Sequence, residues 1–426
     1  MGGKSYMGEF LVEGKIIKFY REKAQMTQKE LVQGICSITH LSKIERGITE
    51  YSKEMITLLS ERLQIDITEE VRKYHLLSGK LDEWQNALIS QQTEDTARLK
   101  KEIEDEPLRE LPDFHASYNL ILSRYHLFMN LPEKAFETIQ IIQGKESQLS
   151  SYERNYLKHI MGIYYFLTGQ FKDCINILTS IDHSGYHHNE YYYHLALAHH
   201  STHSNIASYY YAEKALAYFQ KTLNVLRIID TETMMLVQLN TRELHDFDDT
   251  KKKYDSLIKM CDTCQAYDRK SKLLNNLAFE CYRRKRFDDA RKLYERALQL
   301  VDEDNPFYTM FLDGYINNAI KGKLLNDTEL TDLAKKGLRL AQKHNGMPPF
   351  YFQLHLYAIQ EEEEKFYRLI EEEALPYFRK TGYIVLIDHY EKKLFHYLVK
   401  INESTKALQL AQLIIESHKS HYDGMN

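Results

Sequence analysis

Asn276-Leu277-Ala278-Phe279, followed by Arg286-Phe287-Asp288-Asp289-Ala290 and then Tyr294 and Ala297, reads as two consecutive helices joined by a short turn. Small residues stand where the two helices have to touch. A second stretch has the same form: Met161-Gly162-Ile163-Tyr164-Tyr165, then Gly169-Gln170-Phe171, Cys174 and Leu178. The small residue of the second helix recurs at Ala135, Cys174, Ala215, Thr250, Ala290, Ala334 and Ala407. The successive spacings are 39, 41, 35, 40, 44 and 73, the last wide enough for two units with one degenerate near Ile370. A helix pair cannot bury its apolar face alone, so repetition at this period implies stacking into one array with a concave groove. About eight pairs fill residues 113–418.

The composition agrees. With only 7 Pro and 17 Gly in 426 residues, helix breakers are scarce and an all-α chain is expected. No run approaches the roughly 20 apolar residues of a membrane span. Met1 to Val12 lacks a signal-peptide core, and Tyr6 stands where an N-myristoylation signal needs Ser or Thr, so a cytoplasmic protein is expected. Five cysteines are too few and too scattered for a disulfide framework. Cys261 and Cys264 form a CxxC, but in helical sequence with no second pair, which favours packed thiols. The histidines from His194 to His203 lack the Glu of an HExxH helix. Neither a metal nor another cofactor is expected, and the absence of a P-loop or catalytic triad argues against an enzyme.

Towards the N-terminus the pattern changes. Thr27-Gln28-Lys29-Glu30-Leu31 begins one short helix, with Thr27 and Glu30 spaced as a capping box. Ser37 can cap the next, which runs through Thr39-His40-Leu41-Ser42-Lys43-Ile44-Glu45-Arg46 to Gly47. Two short helices around a turn near Gly34-Ile35-Cys36 are the layout of a helix-turn-helix, whose second helix enters the DNA major groove. A helix over Gly14 to Ala24 precedes them and one over Ser52 to Leu63 follows. The net charge is −5, yet Gly14 to Arg46 carries seven basic and three acidic residues. That segment is +4 and leaves −9 for the rest, the asymmetry of a basic head meeting phosphate on an acidic body.

Both halves resemble known families. Thr27 to Leu31, Ser37, the run Leu41 to Gly47 and the Leu58-Leu59 helix resemble the Xre/Cro-like repressor family. By that resemblance Gln28 contacts DNA, Thr39, His40 and Lys43 face the bases, and Ser37 and Arg46 complete the surface. The helix pairs resemble tetratricopeptide repeats, which implies a right-handed superhelix whose inner wall comes mainly from the first helix of each pair. The expected domains are a head at 1–67, a linker helix or degenerate repeat at 68–112, and a repeat domain at 113–426. Asn275 and Asn317 are read as occupying one phase of two consecutive repeats, 42 residues apart. Amides offer a donor and an acceptor, which suits an extended peptide backbone. His159, Tyr193, Arg242, Phe279 and Tyr282 are expected on the same wall.

Together the halves resemble the RRNPP quorum-sensing regulators, most of all their neutral protease regulators. The resemblance implies a homo-oligomeric transcription factor acting at a palindromic site on extracellular protease genes. A short secreted and re-imported peptide would control it. It also implies an alternative, a peptide-controlled inhibitor or phosphatase of a sporulation phosphorelay response regulator.

Overall fold

The computed structural model describes residues 3–240, 246–344, 347–381 and 384–423, and every secondary-structure element among them is helical. The chain divides into two compact units, Met1–Leu195 and Ala196–Asn426.

The first unit begins with the head: α1 (Gly3–Lys23), α2 (Gln28–Val32), α3 (Ile38–Glu45) and α4 (Lys53–Arg62). The first helix reaches well beyond the start expected at Gly14. Gly14 lies where α1 crosses α3, and a Cβ there would come within 2.0 Å of the Ile44 carbonyl oxygen. Gly47 ends α3 with φ +63°, against Leu11 of α1. The capping box on α2 forms: the Glu30 amide donates to Thr27 Oγ1 and the Thr27 amide to Glu30 Oε2, at 3.2 and 2.7 Å. Ile16, Ile17, Leu31, Leu41, Ile44 and Leu59 are fully buried and make the head's core.

Helix pairs follow. They are α5 (Ile67–Ile89) with α6 (Thr93–Glu104), α7 (Pro112–Phe128) with α8 (Pro132–Gln143), and α9 (Ser151–Leu167) with α10 (Phe171–Thr179). Residues 67–104 are thus an ordered helix pair, with Trp84 wholly buried. Next come α11 (Tyr191–Ser201) with α12 (Asn205–Lys221), α13 (Val225–Asn240) with α14 (Phe247–Thr263), α15 (Tyr267–Arg283) with α16 (Phe287–Leu298), and α17 (Pro306–Gly322) with α18 (Asp327–Lys343). In the following pair α19 (Phe350–Ile359) packs on α20 (Glu363–Leu369), which continues through a π-helical turn at Ile370–Ala374 into α21 (Leu375–Thr381). The last pair is α22 (Ile384–Lys400) and α23 (Ser404–Asp423).

Small residues occupy the fourth position of most second helices, where the two backbones approach. Ala135, Cys174, Thr250, Ala290 and Ala407 stand there, all buried, and so does Thr96 of α6. Two expected positions shift. In α12 the fourth residue is Ser208, fully buried with its hydroxyl donating to Ala196 O at 2.9 Å; Ala215 comes two turns later. In α18 it is Leu330, and Ala334 lies one turn on. Both alanines are buried too, so composition alone could not choose between turns of one apolar stripe. Glycine serves the same packing elsewhere: a Cβ on Gly162 would meet the Leu178 side chain at 2.3 Å. The long interval before Ala407 contains the π-helical turn, whose Glu371, Glu372 and Glu373 are exposed while Ile370 and Ala374 are buried.

Candidate functional site

In the head, capping holds the second short helix rigidly. Ser37 Oγ accepts the His40 amide at 3.1 Å, so its oxygen is engaged in fixing α3. Thr39 and Lys43 are exposed on the face of α3 opposite buried Leu41 and Ile44, and His40 is half-exposed. These three project from a fixed helix, as base-reading requires. Arg46 is exposed, its Nε donating to Ser42 O at 3.0 Å. Gln28, expected at DNA, is half-exposed and donates to Glu45 Oε2 at 2.8 Å. Glu45 is buried and also accepts Arg21 Nε and Nη2 at 2.6 and 3.1 Å. Glu45 therefore locks α1, α2 and α3 together, and its hydrogen bonds raise the Arg21 guanidinium above its ordinary value.

The residues expected on the repeat groove separate into groups. His159 and Tyr193 are both buried in the first unit; His159 is paired with the Tyr186 hydroxyl at 2.8 Å and His194 Nδ1 at 3.0 Å. They belong to a packed polar core, not to an open wall. Arg242 lies outside the described residues. Phe279, Tyr282 and Asn317 come together around a cavity of about 450 Å³ in the second unit, between first helices α15, α17, α19 and α22.

Asn275 does not line it. Helices α15 and α17 start 39 residues apart, so the residue in phase with Asn275 is Gly314, and Asn317 is in phase with Ala278. The interval of 42 is therefore three residues out of step. The neighbouring Asn318 is fully buried and donates to Phe287 O at 3.0 Å, a bond that ties α17 to α16.

The cavity's polar floor was not anticipated. Asp313 accepts Asn317 Nδ2 at 3.3 Å and stands 2.7 Å from His355 Nε2. Lys321 and Lys393 also line the cavity, and neither has a carboxylate partner among the described residues. Burial, and then the charge of Lys321, hold the Lys393 ammonium below the ordinary lysine value; burial and both lysines likewise lower His389. Lys393 lies over the Phe366 and Tyr390 rings at 5.7 and 5.6 Å. A signal for this wall existed: Asp313, Asn317 and Lys321 recur every four residues along an otherwise apolar α17. Two uncompensated ammonium groups beside aromatic faces and an amide suit a ligand that brings an anionic group and apolar side chains.

A helix-turn-helix family model (HTH_3) matches residues 17–69. The Transcriptional activator NprA of Geobacillus stearothermophilus is 22% identical over 379 residues, covering 82% of this chain and 89% of that protein. Among solved structures, the apo form of the quorum sensor NprR from B. thuringiensis aligns with a TM-score of 0.62 at 20% identity, over 82% of this chain and 99% of that one. NprR in complex with its cognate peptide NprX aligns at 0.61 and 21% identity, over 80% and 98% of the two chains. The chain thus shares the fold of the quorum sensor NprR, a helix-turn-helix head followed by an array of helix pairs.

Proposed function

We propose that this transcriptional regulator is controlled by a short signalling peptide held in the cavity between α15, α17, α19 and α22. The observation that carries the reading is the pairing, in one cavity, of Lys321 and Lys393, which have no acidic partner among the described residues, with the amide of Asn317. The lysines receive a carboxylate of the peptide, Asn317 and Asp313 hold its backbone, and Phe279, Tyr282 and Tyr390 cover its apolar side chains. NprR, of the same fold, is known in complex with its peptide NprX, which supports a peptide as the ligand class. A ligand shifts a conformational equilibrium only by its difference in affinity for the two states. On this reading, closure of these four helices on the peptide changes how two chains pair, and thereby the spacing of two heads on a palindromic site. Thr39, His40 and Lys43 read the bases there, at extracellular protease genes.

Calorimetric titration of the full chain with a pool of short peptides rich in Asp and Glu tests the ligand. Saturable binding should weaken roughly ten- to hundredfold in Lys393→Ala, since a hydrogen bond to a charged group contributes about 1.5–3 kcal/mol. Binding that is indifferent to both Lys321→Ala and Lys393→Ala would place the ligand elsewhere. Thr39→Ala with Lys43→Ala should abolish specific footprints while leaving that titration unchanged.

A further inference from the structure

The first unit has a cavity of its own, about 210 Å³, between α5, α7 and α9. Its charge is of one sign. Asp82, Asp113 and Glu153 line it, and no Lys or Arg does. Glu153 is occupied as the acidic half of the box that caps α9, accepting the Ser150 amide at 2.8 Å. Asp82 is exposed and makes no ion pair or hydrogen bond among the described residues. Aromatic rings of Tyr74, Tyr152 and Tyr156 complete the wall.

Tyr156 supplies a second, independent observation. Its side chain is buried, with 5% of the residue exposed, and Tyr156 lines the cavity, yet its hydroxyl has no hydrogen-bond partner among the described residues. Buried hydroxyls are nearly always partnered, so one left open towards a cavity marks a place for a polar group. Tyr152, beside it, is already engaged with Gln85 Nε2 at 2.9 Å.

Asp113 connects the cavity to the DNA-binding head. Its Oδ2 accepts the Tyr74 hydroxyl at 2.7 Å and Lys15 Nζ of α1 at 2.5 Å. Lys15 reaches this carboxylate from outside the cavity lining, so a cation arriving from within meets the same oxygen that Lys15 holds.

We propose that this cavity binds a small organic primary ammonium ion, held by Asp82, Asp113 and the Tyr156 hydroxyl against the tyrosine rings, in competition with Lys15. Carboxylates and aromatic faces around one space select a cation over an anion or a neutral group. The size agrees: a 150 Å³ engineered cavity accepts benzene, so roughly eight to ten non-hydrogen atoms suit this one. Occupancy draws Asp113 away from Lys15 and loosens α1, and by reciprocity whatever frees Asp113 from Lys15 strengthens the ligand. The site is separate from the peptide cavity and does not depend on that reading.

The test is titration of the full-length protein with phenethylammonium chloride, with 2-phenylethanol and 3-phenylpropionate as neutral and anionic matches. The ammonium ion should bind saturably at one site, the alcohol at least tenfold more weakly, and the carboxylate not at all. Asp113→Asn should weaken binding at least tenfold, Tyr156→Phe severalfold, and Lys15→Ala should strengthen it at least threefold. Should Asp113→Asn fail to fold, Asp82→Asn carries the same test, because that residue is exposed and has no partner to lose. Hydrogen exchange around Lys15 should accelerate with the ligand bound. Lys393→Ala should leave all of this unchanged. Absence of saturable binding, equal binding of the alcohol, or indifference to both Asp82→Asn and Asp113→Asn overturns the proposal.

Discussion

Replacing Glu45 with alanine should loosen the head without touching its surface. Glu45 and Arg21 are both buried, with side-chain exposures of 4% and 11%, and their ion pair closes at 2.6 Å. Removing one partner of a buried pair costs about 3–5 kcal/mol, because the other charge is left uncompensated. Arg21 keeps two bonds, from Nη1 to Met26 O at 3.0 Å and a longer one from Nη2 to Glu22 Oε1 at 3.4 Å, which places the loss near the lower end, about 3 kcal/mol. Gln28 also loses the acceptor that holds it at the start of α2. Hydrogen exchange on the full chain reads this locally: at about 1.36 kcal/mol per decade, amides of α1 to α3 should exchange roughly a hundredfold faster. Amides of α15 to α19 should not change. The double variant Arg21→Met with Glu45→Leu should recover most of the protection, since no charge is then orphaned. Unchanged exchange in Glu45→Ala, or a double variant as labile as the single, would refute the account of Glu45 as the lock.

Gly14→Ala should destabilise the head by at least 1–3 kcal/mol, because its Cβ would meet a backbone oxygen that cannot swing aside; exchange in α1 and α3 would register it. Peptide affinity should fall as pH rises, beginning below the ordinary lysine value of 10.5. Burial and Lys321 favour the neutral form of Lys393, and an anionic ligand restores the charged form, so binding at alkaline pH takes up protons, which calorimetry in buffers of different ionisation enthalpy detects. In the unliganded protein the same depressed value means that the folded state holds fewer protons than the unfolded one. Lys393 therefore costs stability at neutral pH, and that cost is relieved as pH rises from its folded value through 10.5. A thiol reagent at neutral pH should label exposed Cys264 readily, while Cys174, Cys261 and Cys281 stay unreactive until unfolding; burial pushes them up to about 12, 12 and 11. Rapid modification of all five in the native protein would contradict this packing.

The head was legible because its signals are local. A capping box, a Ser cap and a glycine stop each lie within a few residues of the helix end they fix, and Thr27, Ser37 and Gly47 all stand where sequence places them. The array's period was legible for a related reason, since the small contact position of a helix pair is renewed in every repeat. Which turn of the helix carries that position was not, as Ser208 and Leu330 show, because any small or apolar residue on the buried stripe satisfies the same pattern. Side-chain partnerships across helices were least visible. Nothing near His159 announces Tyr186 or His194, and nothing near Gln28 announces Glu45, because these pairings are made by the packing of separate elements. Asn275 and Asn317 fail as a pair for a geometric reason: three residues turn a helix face by about 60° from a full repeat, enough to take one amide off the cavity wall.

The π-helical turn at Ile370–Ala374 settles the register of the helix that contains it. A helix that accommodates one extra residue by widening a single turn keeps the faces on both sides of it intact, here Leu369 before and Leu375 and Phe378 after, all in the core. The same residue added to an ordinary α-helical stretch would swing everything beyond it by about 100° and expose one of those faces. The widened turn therefore lets one continuous helix keep both faces in the core. Removing one of Glu371, Glu372 and Glu373 should return that turn to α-helix with both faces still buried.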